Sequence, residues 1–108
     1  MNWFKPDTTA SLRLTGRAAL ARILAAIDAG APEPTAIANI DMGADISYHR
    51  GRPGHDSLAE AAAMVRALGI AAEPTAYRHE GYHSIMWESW EGGCRWAVTA
   101  FVDGEAQS

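Results

Sequence analysis

Apolar and polar positions change rhythm several times along the chain, and the clearest rhythm lies near its end. From Tyr82 to Glu91, and again from Cys94 to Val102, apolar and polar side chains alternate, with Gly92-Gly93 between the two runs. Aromatic and β-branched residues alternating on both sides of a Gly-Gly pair predict a β-hairpin with a two-residue loop. Counting outward from the glycines sets Glu91 opposite Cys94, Trp90 opposite Arg95 and Ser89 opposite Trp96. It continues with Glu88 opposite Ala97, Trp87 opposite Val98, Met86 opposite Thr99 and Ile85 opposite Ala100. Opposed residues share a face of the sheet. One face then holds Ile85, Trp87, Cys94, Trp96, Val98, Ala100 and Val102, and is nearly all apolar. The other holds Ser84, Met86, Glu88, Trp90, Arg95, Ala97, Thr99 and Phe101, and is mixed. A slip by one residue would scatter both sets, so the pattern predicts the register along with the hairpin.

Upstream, Leu20, Ile23, Leu24 and Ile27 recur at helical spacing, with Thr15 suited to the N-cap and Gly30, Pro32 and Pro34 ending the helix. Residues 1–14 show no periodicity and read as an N-terminal arm, with Trp3 and Phe4 available to anchor it. Thr35 to His49 alternates again and predicts two short strands around a turn at Asp41 to Asp45; a single bulged strand is the competing reading. Ile40 and Met42 fall on one side, and Ile46 and Tyr48 do so after the break near Gly43. A second helix opens at Asp56-Ser57, where Ser57 and Glu60 have capping-box spacing. Its apolar stripe is Leu58, Ala61, Ala62, Val65 and Leu68, and Gly69 supplies a left-handed stop. A strand around Thr75 to His79 and a turn at Glu80-Gly81 lead into the hairpin. The order α-β-β-α-β-β-β predicts an α+β two-layer sandwich, with two helices on one face of a mostly antiparallel sheet of about five strands. Residues 15–103 would form one domain, followed by a flexible tail, 104–108.

Composition adds bounds. A chain of 108 residues can bury a core without staples. Its net charge of −4 argues against a long basic nucleic-acid surface, and its acids are dispersed rather than run together. Lys5 stands alone beside eight arginines, which together make the nine basic residues; codon bias in a GC-rich genome accounts for that preference. The single cysteine, Cys94, cannot form an internal disulfide and falls on the apolar face of the last strand, as a small hydrophobe. No apolar run reaches the length of a membrane span, and a cytoplasmic setting is expected.

This order, with an alanine-rich second helix ending in Ala67-Leu68-Gly69 and a tryptophan-bearing final hairpin, resembles small α+β proteins of actinomycetes and their phages and mobile elements. The resemblance covers Gly16 to Val102. It implies no catalytic residues and transfers no function.

The candidate sites differ in kind. The mixed hairpin face sets Met86, Trp90, Arg95 and Phe101 on the side away from the helices, with Arg95 placed to stack on Trp90. Exposed Trp, Met, Phe and Arg are enriched at protein interfaces. The expected partner is therefore another protein or a second copy of this chain, unless Trp3 and Phe4 fold over the patch. The loop from His49 to His55 offers a second candidate: Arg50, Gly51, Arg52, His55 and Ser57 stand where a helix dipole would attract a small anion or nucleotide. It is not a Walker A loop, because the lysine is missing. His79 and His83 flank a turn but lack further ligands for a metal. No nucleophile, base and orienting group converge visibly, so a non-enzymatic protein without cofactors is expected, with a small enzyme as the third reading after the anion binder.

Overall fold

The computed structural model describes residues 6–40 and 43–104, with side chains described from residue 16 onward. Trp3, Phe4, Asp41, Met42 and the tail from residue 105 lie outside the described residues. The order of elements is α1 (Pro6–Asp28), β1 (Ala36–Ala38), β2 (Ala44–Tyr48), α2 (Ser57–Leu68), β3 (Thr75–Arg78), β4 (Tyr82–Glu91) and β5 (Cys94–Asp103). This is an α+β fold, as the alternating patterns predict.

The first helix begins at Pro6, well inside the stretch read as an arm, so Thr15 is a helical residue and not a cap. Proline suits a first helical position because its fixed φ is already helical and its missing N–H would have had no partner. The buried stripe of α1 is also rotated from expectation. Ala19, Ile23 and Ala26 are buried and Ile27 half-buried, while Leu20 and Leu24 are exposed, Leu24 at 58%. The element that α1 approaches most closely is α2; small alanines on either side of Ile23 let the two helices lie near one another, and the longer leucines fall to the flank.

Two strands around a turn do form in the next segment, and β1 pairs antiparallel with β2, Ile37 opposite Ile46. Ile37, not Ile40, is the inward residue of β1; Ile40 lies beyond its end and is exposed. On β2, Ala44, Ile46 and Tyr48 are buried. The Tyr48 hydroxyl donates to the Pro32 carbonyl at 2.6 Å. Burial first, and the nearby Glu60 charge second, push the Tyr48 phenol far above its usual range.

The cap of α2 is Asp56, whose carboxylate accepts from the Ala59 backbone N–H at 3.1 Å. Ser57 is therefore the first helical residue and does not form a capping box with Glu60. Its buried hydroxyl donates to the Phe101 carbonyl at 2.6 Å, tying the helix start to β5. Ala61, Met64, Val65 and Leu68 face the sheet, Leu58 is exposed, and Gly69 ends the helix in the left-handed region.

The sheet order is β1-β2-β5-β4-β3, with β2 and β5 parallel and the other neighbours antiparallel. All seven predicted cross-strand pairs of the last hairpin are present, from Glu91 opposite Cys94 to Ile85 opposite Ala100. Trp87 and Trp96 are buried at 9% and 3% exposure under the helices, while Trp90 is 65% exposed on the other face. Both helices pack on one face, joining α1, α2, β2, β4 and β5 in one apolar cluster. Arg22 closes one end of it. Its guanidinium lies 4.7 Å over the Trp96 ring and donates to the Leu68 carbonyl at 2.6 Å, so α1 is bound to the last turn of α2.

Candidate binding surface: the helix-free face of the sheet

Strand alternation delivers a fixed set of side chains to the face that the helices leave uncovered. β2 contributes Asp45 and Ser47; β5 contributes Arg95, Ala97, Thr99 and Phe101; β4 contributes Tyr82, Ser84, Met86, Glu88 and Trp90; β3 contributes Thr75 and Tyr77. Three regions follow from what these side chains do with each other.

The middle is a charged lattice. Arg95 donates through Nε to Glu88 at 2.5 Å and through its guanidinium to Asp45, which also accepts from Asn39 at 2.5 Å. Asp45, Ala97 and Glu88 form one row across three strands. The guanidinium bridging the outer two therefore lies across Ala97, which is buried although it faces away from the helices. Arg95 is thus spent on carboxylates and does not stack on Trp90. Its hydrogen bond to Glu88 raises the guanidinium above its ordinary value, and the bond it donates to Asp45, with the charges of both carboxylates, adds to this against the cost of burial.

The hairpin end carries Trp90, opposite Arg95, while the half-buried Met86 lies on the far side of the Glu88 row and the exposed Tyr77 stands opposite Ser84, nearer the other end. Trp90 is the most exposed of the large apolar residues described. Half-buried Phe101 belongs to the opposite end of the face, so the four residues predicted as one patch are spread along it, with Trp90 and Arg95 at the hairpin end and Met86 mid-strand.

That opposite end is an aromatic cluster. Phe101 meets His49 edge-on at 5.6 Å and Tyr82 at 6.4 Å. His79 stacks on Tyr82 at 4.5 Å and shares a 3.0 Å hydrogen bond with Ser84. The Arg50 guanidinium lies 4.2 Å above the Tyr82 ring. His49, Arg50, Tyr82 and Phe101 line an open concavity of about 320 Å³. Sequence reasoning missed Tyr82, although it has the parity of Ser84 and Met86, and placed His49 in the anion-binding loop, not on the sheet face.

The loop after β2 keeps most of its cations occupied. Arg52 donates to the His49 carbonyl at 3.1 Å and to Glu60 at 2.6 Å, and His55 donates to the other Glu60 oxygen at 2.9 Å. Burial would raise the Glu60 carboxyl, but the hydrogen bonds from His55 and Arg52 outweigh it and hold the group below its ordinary 4.5. Gly51, with φ +76°, turns the chain between the two arginines. Arg50 alone points toward the sheet face, bonded to Asp103 at 2.8 Å.

His79 and His83 do not share a site. His79 is on the uncovered face, bonded to Ser84; His83 is opposite Val102 on the other face and donates to the Gly104 carbonyl at 3.0 Å. Among the described residues no three His, Cys, Asp or Glu side chains gather to hold a metal ion. Ser84 beside His79 has the look of a nucleophile and base, but Ser84 is 4% exposed and the bond serves packing. Half-buried Cys94 sits at the other end of the hairpin, near Arg22 and Trp96. No described helix is long and apolar enough to cross a membrane.

No family model, curated protein or solved structure matches this chain. The functional reading therefore rests on the geometry of the uncovered face.

Proposed function

We propose that this protein is a small non-enzymatic binding or accessory module that recognises another protein, or a second copy of itself, through the helix-free face of its sheet. The observation that carries this reading is Trp90, 65% exposed at the hairpin end of a face that no described helix covers. Leaving an indole in water forgoes the stabilisation its burial would bring, and Trp is enriched among the few residues that dominate binding energy at interfaces. We extend the reading to a cytoplasmic accessory protein of a phage or mobile element, on the strength of the alanine-rich second helix and the tryptophan-bearing hairpin.

The test compares wild type with Trp90→Ala by sedimentation equilibrium and by capture of partners from the native host. The variant should keep its melting temperature and lose self-association or capture. A strictly monomeric wild type whose capture profile is unchanged in Trp90→Ala would overturn the reading.

A second reading, from another class, is a small-anion or nucleotide binder using Arg50, Gly51, Arg52, His55 and Ser57 at the start of α2. What favours it is Arg50, whose partner Asp103 is exposed. What weighs against the rest of the set is internal pairing: Glu60 holds Arg52 and His55, and Asp56 already caps the helix.

A further inference from the structure

We propose that the concavity between His49, Arg50, Tyr82 and Phe101 binds a small planar anion: an aromatic or heteroaromatic ring bearing a carboxylate or phosphate. This site does not need Trp90; it shares Arg50 with the anion-binding reading above but sets the ligand on the sheet face, against Phe101 and His49, instead of at the backbone amides of α2.

Its position follows from topology. β2 and β5 run parallel with Tyr48 opposite Ala100, so His49 leaves the end of β2 beside Phe101, while β5 runs on to Asp103 along β4. The tie from Ser57 to the Phe101 carbonyl fixes this corner. A volume of about 320 Å³ suits a ligand of one or two rings.

The walls supply the chemistry. Phe101 and the exposed His49 present ring surface against which a flat ligand can lie. The Arg50 guanidinium is laid over Tyr82, which leaves its N–H edge free to meet an anion in a fork geometry with little further ordering. What now occupies that edge is the Asp103 carboxylate, itself 65% exposed. An ion pair that open to water is weak and readily exchanged. Asp103 is therefore a stand-in for the anionic group of the ligand. Arg52 and Arg95 differ, because each is shared between partners that are less exposed.

Titration followed by backbone and arginine-side-chain NMR tests the proposal, with four probes: adenosine monophosphate, benzoate, adenosine and inorganic phosphate. At least one of the two ring anions should give saturable shifts at His49, Arg50 and Phe101 at millimolar concentration. Adenosine and phosphate, each lacking half of the recognised chemistry, should bind at least tenfold more weakly. Response to the nucleotide alone would identify a phosphate ligand, and response to benzoate alone a carboxylate. Arg50→Gln should abolish the shifts while its core signals stay in place. Asp103→Asn should tighten binding about two- to fivefold by releasing Arg50, an effect a purely structural ion pair would not produce. Phosphate binding as well as the nucleotide, no shifts with either ring anion, or no gain in Asp103→Asn would each overturn the assignment.

Discussion

Gly43 provides the sharpest test of how the sheet is assembled. A Cβ placed on it would lie 1.9 Å from the Arg95 carbonyl oxygen and 2.6 Å from the carbonyl carbon. Non-bonded heavy atoms are most favourably about 3.5 Å apart, so Gly43→Ala forces the start of β2 away from β5 by more than about 1 Å. Neither atom belongs to a flexible side chain that could swing aside. Ladder hydrogen bonds near 2.9 Å stretched by that amount pass beyond useful length. Losing one or two of them at about 1 kcal/mol each, with the strain of the displaced strand, gives a destabilisation of about 2–4 kcal/mol. In a domain of this size that lowers the melting temperature by about 10–30 °C. Thermal melts followed by circular dichroism measure it directly, with Gly54→Ala as the control. Gly54 has φ +78° and open space around its would-be Cβ, so only the left-handed strain of about 1–2 kcal/mol applies there. Equal losses in the two variants, or a change of under about 3 °C in Gly43→Ala, would refute the close approach of β2 to β5.

Two further outcomes are expected. Trp87→Ala should cost about 3–5 kcal/mol, because it empties a buried site, whereas Trp90→Ala should change stability by less than about 0.5 kcal/mol; urea denaturation of both separates the faces. Glu60 has a folded-state pKa below its ordinary 4.5, so its contribution is fully present above that value and is lost as pH falls through the lower, folded value. Urea midpoints from neutral to strongly acid pH should therefore fall less steeply in Glu60→Gln than in wild type, the variant starting lower at neutral pH.

The hairpin was legible because its information is local: two glycines, a period of two, and enough apolar residues on one side to identify the wrong register as wrong. Trp87 and Trp90, three places apart and so of opposite parity, have opposite fates. The helices were less legible. On α1 the larger residues, Leu20 and Leu24, carry a stronger apolar signal than Ala19 and Ala26, yet the close approach of α1 to α2 gives the alanines the buried face. At the start of α2 both Asp56 and Ser57 are good caps, and what decides between them is a carbonyl on β5, distant in sequence, that accepts from Ser57. The same limit applies at the binding surface. Arg95 and Trp90 are directly opposed, which suggested stacking, but Asp45 comes from a strand fifty residues earlier and takes the guanidinium. Gly43 read as a turn residue for the same reason, since the carbonyl it must clear belongs to β5.

The division of the uncovered face bears on how both proposals are to be judged. Tyr82 and Trp90 share that face eight residues apart on β4, or about 27 Å at the rise of a strand. Between them Asp45, Arg95 and Glu88 form a polar bar in which both carboxylates are bonded to the one guanidinium. An apolar partner seated at Trp90 gains nothing by extending across that bar, since it would strip water from three charged groups already bonded to one another. A continuous interface over the whole face is therefore unfavourable, and two smaller sites are not. The bar also keeps the exposed apolar area from merging into a single patch of the kind that drives non-specific association. It follows that the two ends should respond independently: Trp90→Ala should leave ring-anion binding at Arg50 unchanged, and Arg50→Gln should leave association through Trp90 unchanged. Coupling between them would mean that the face works as one surface, with Arg95 able to leave its carboxylates when a partner arrives.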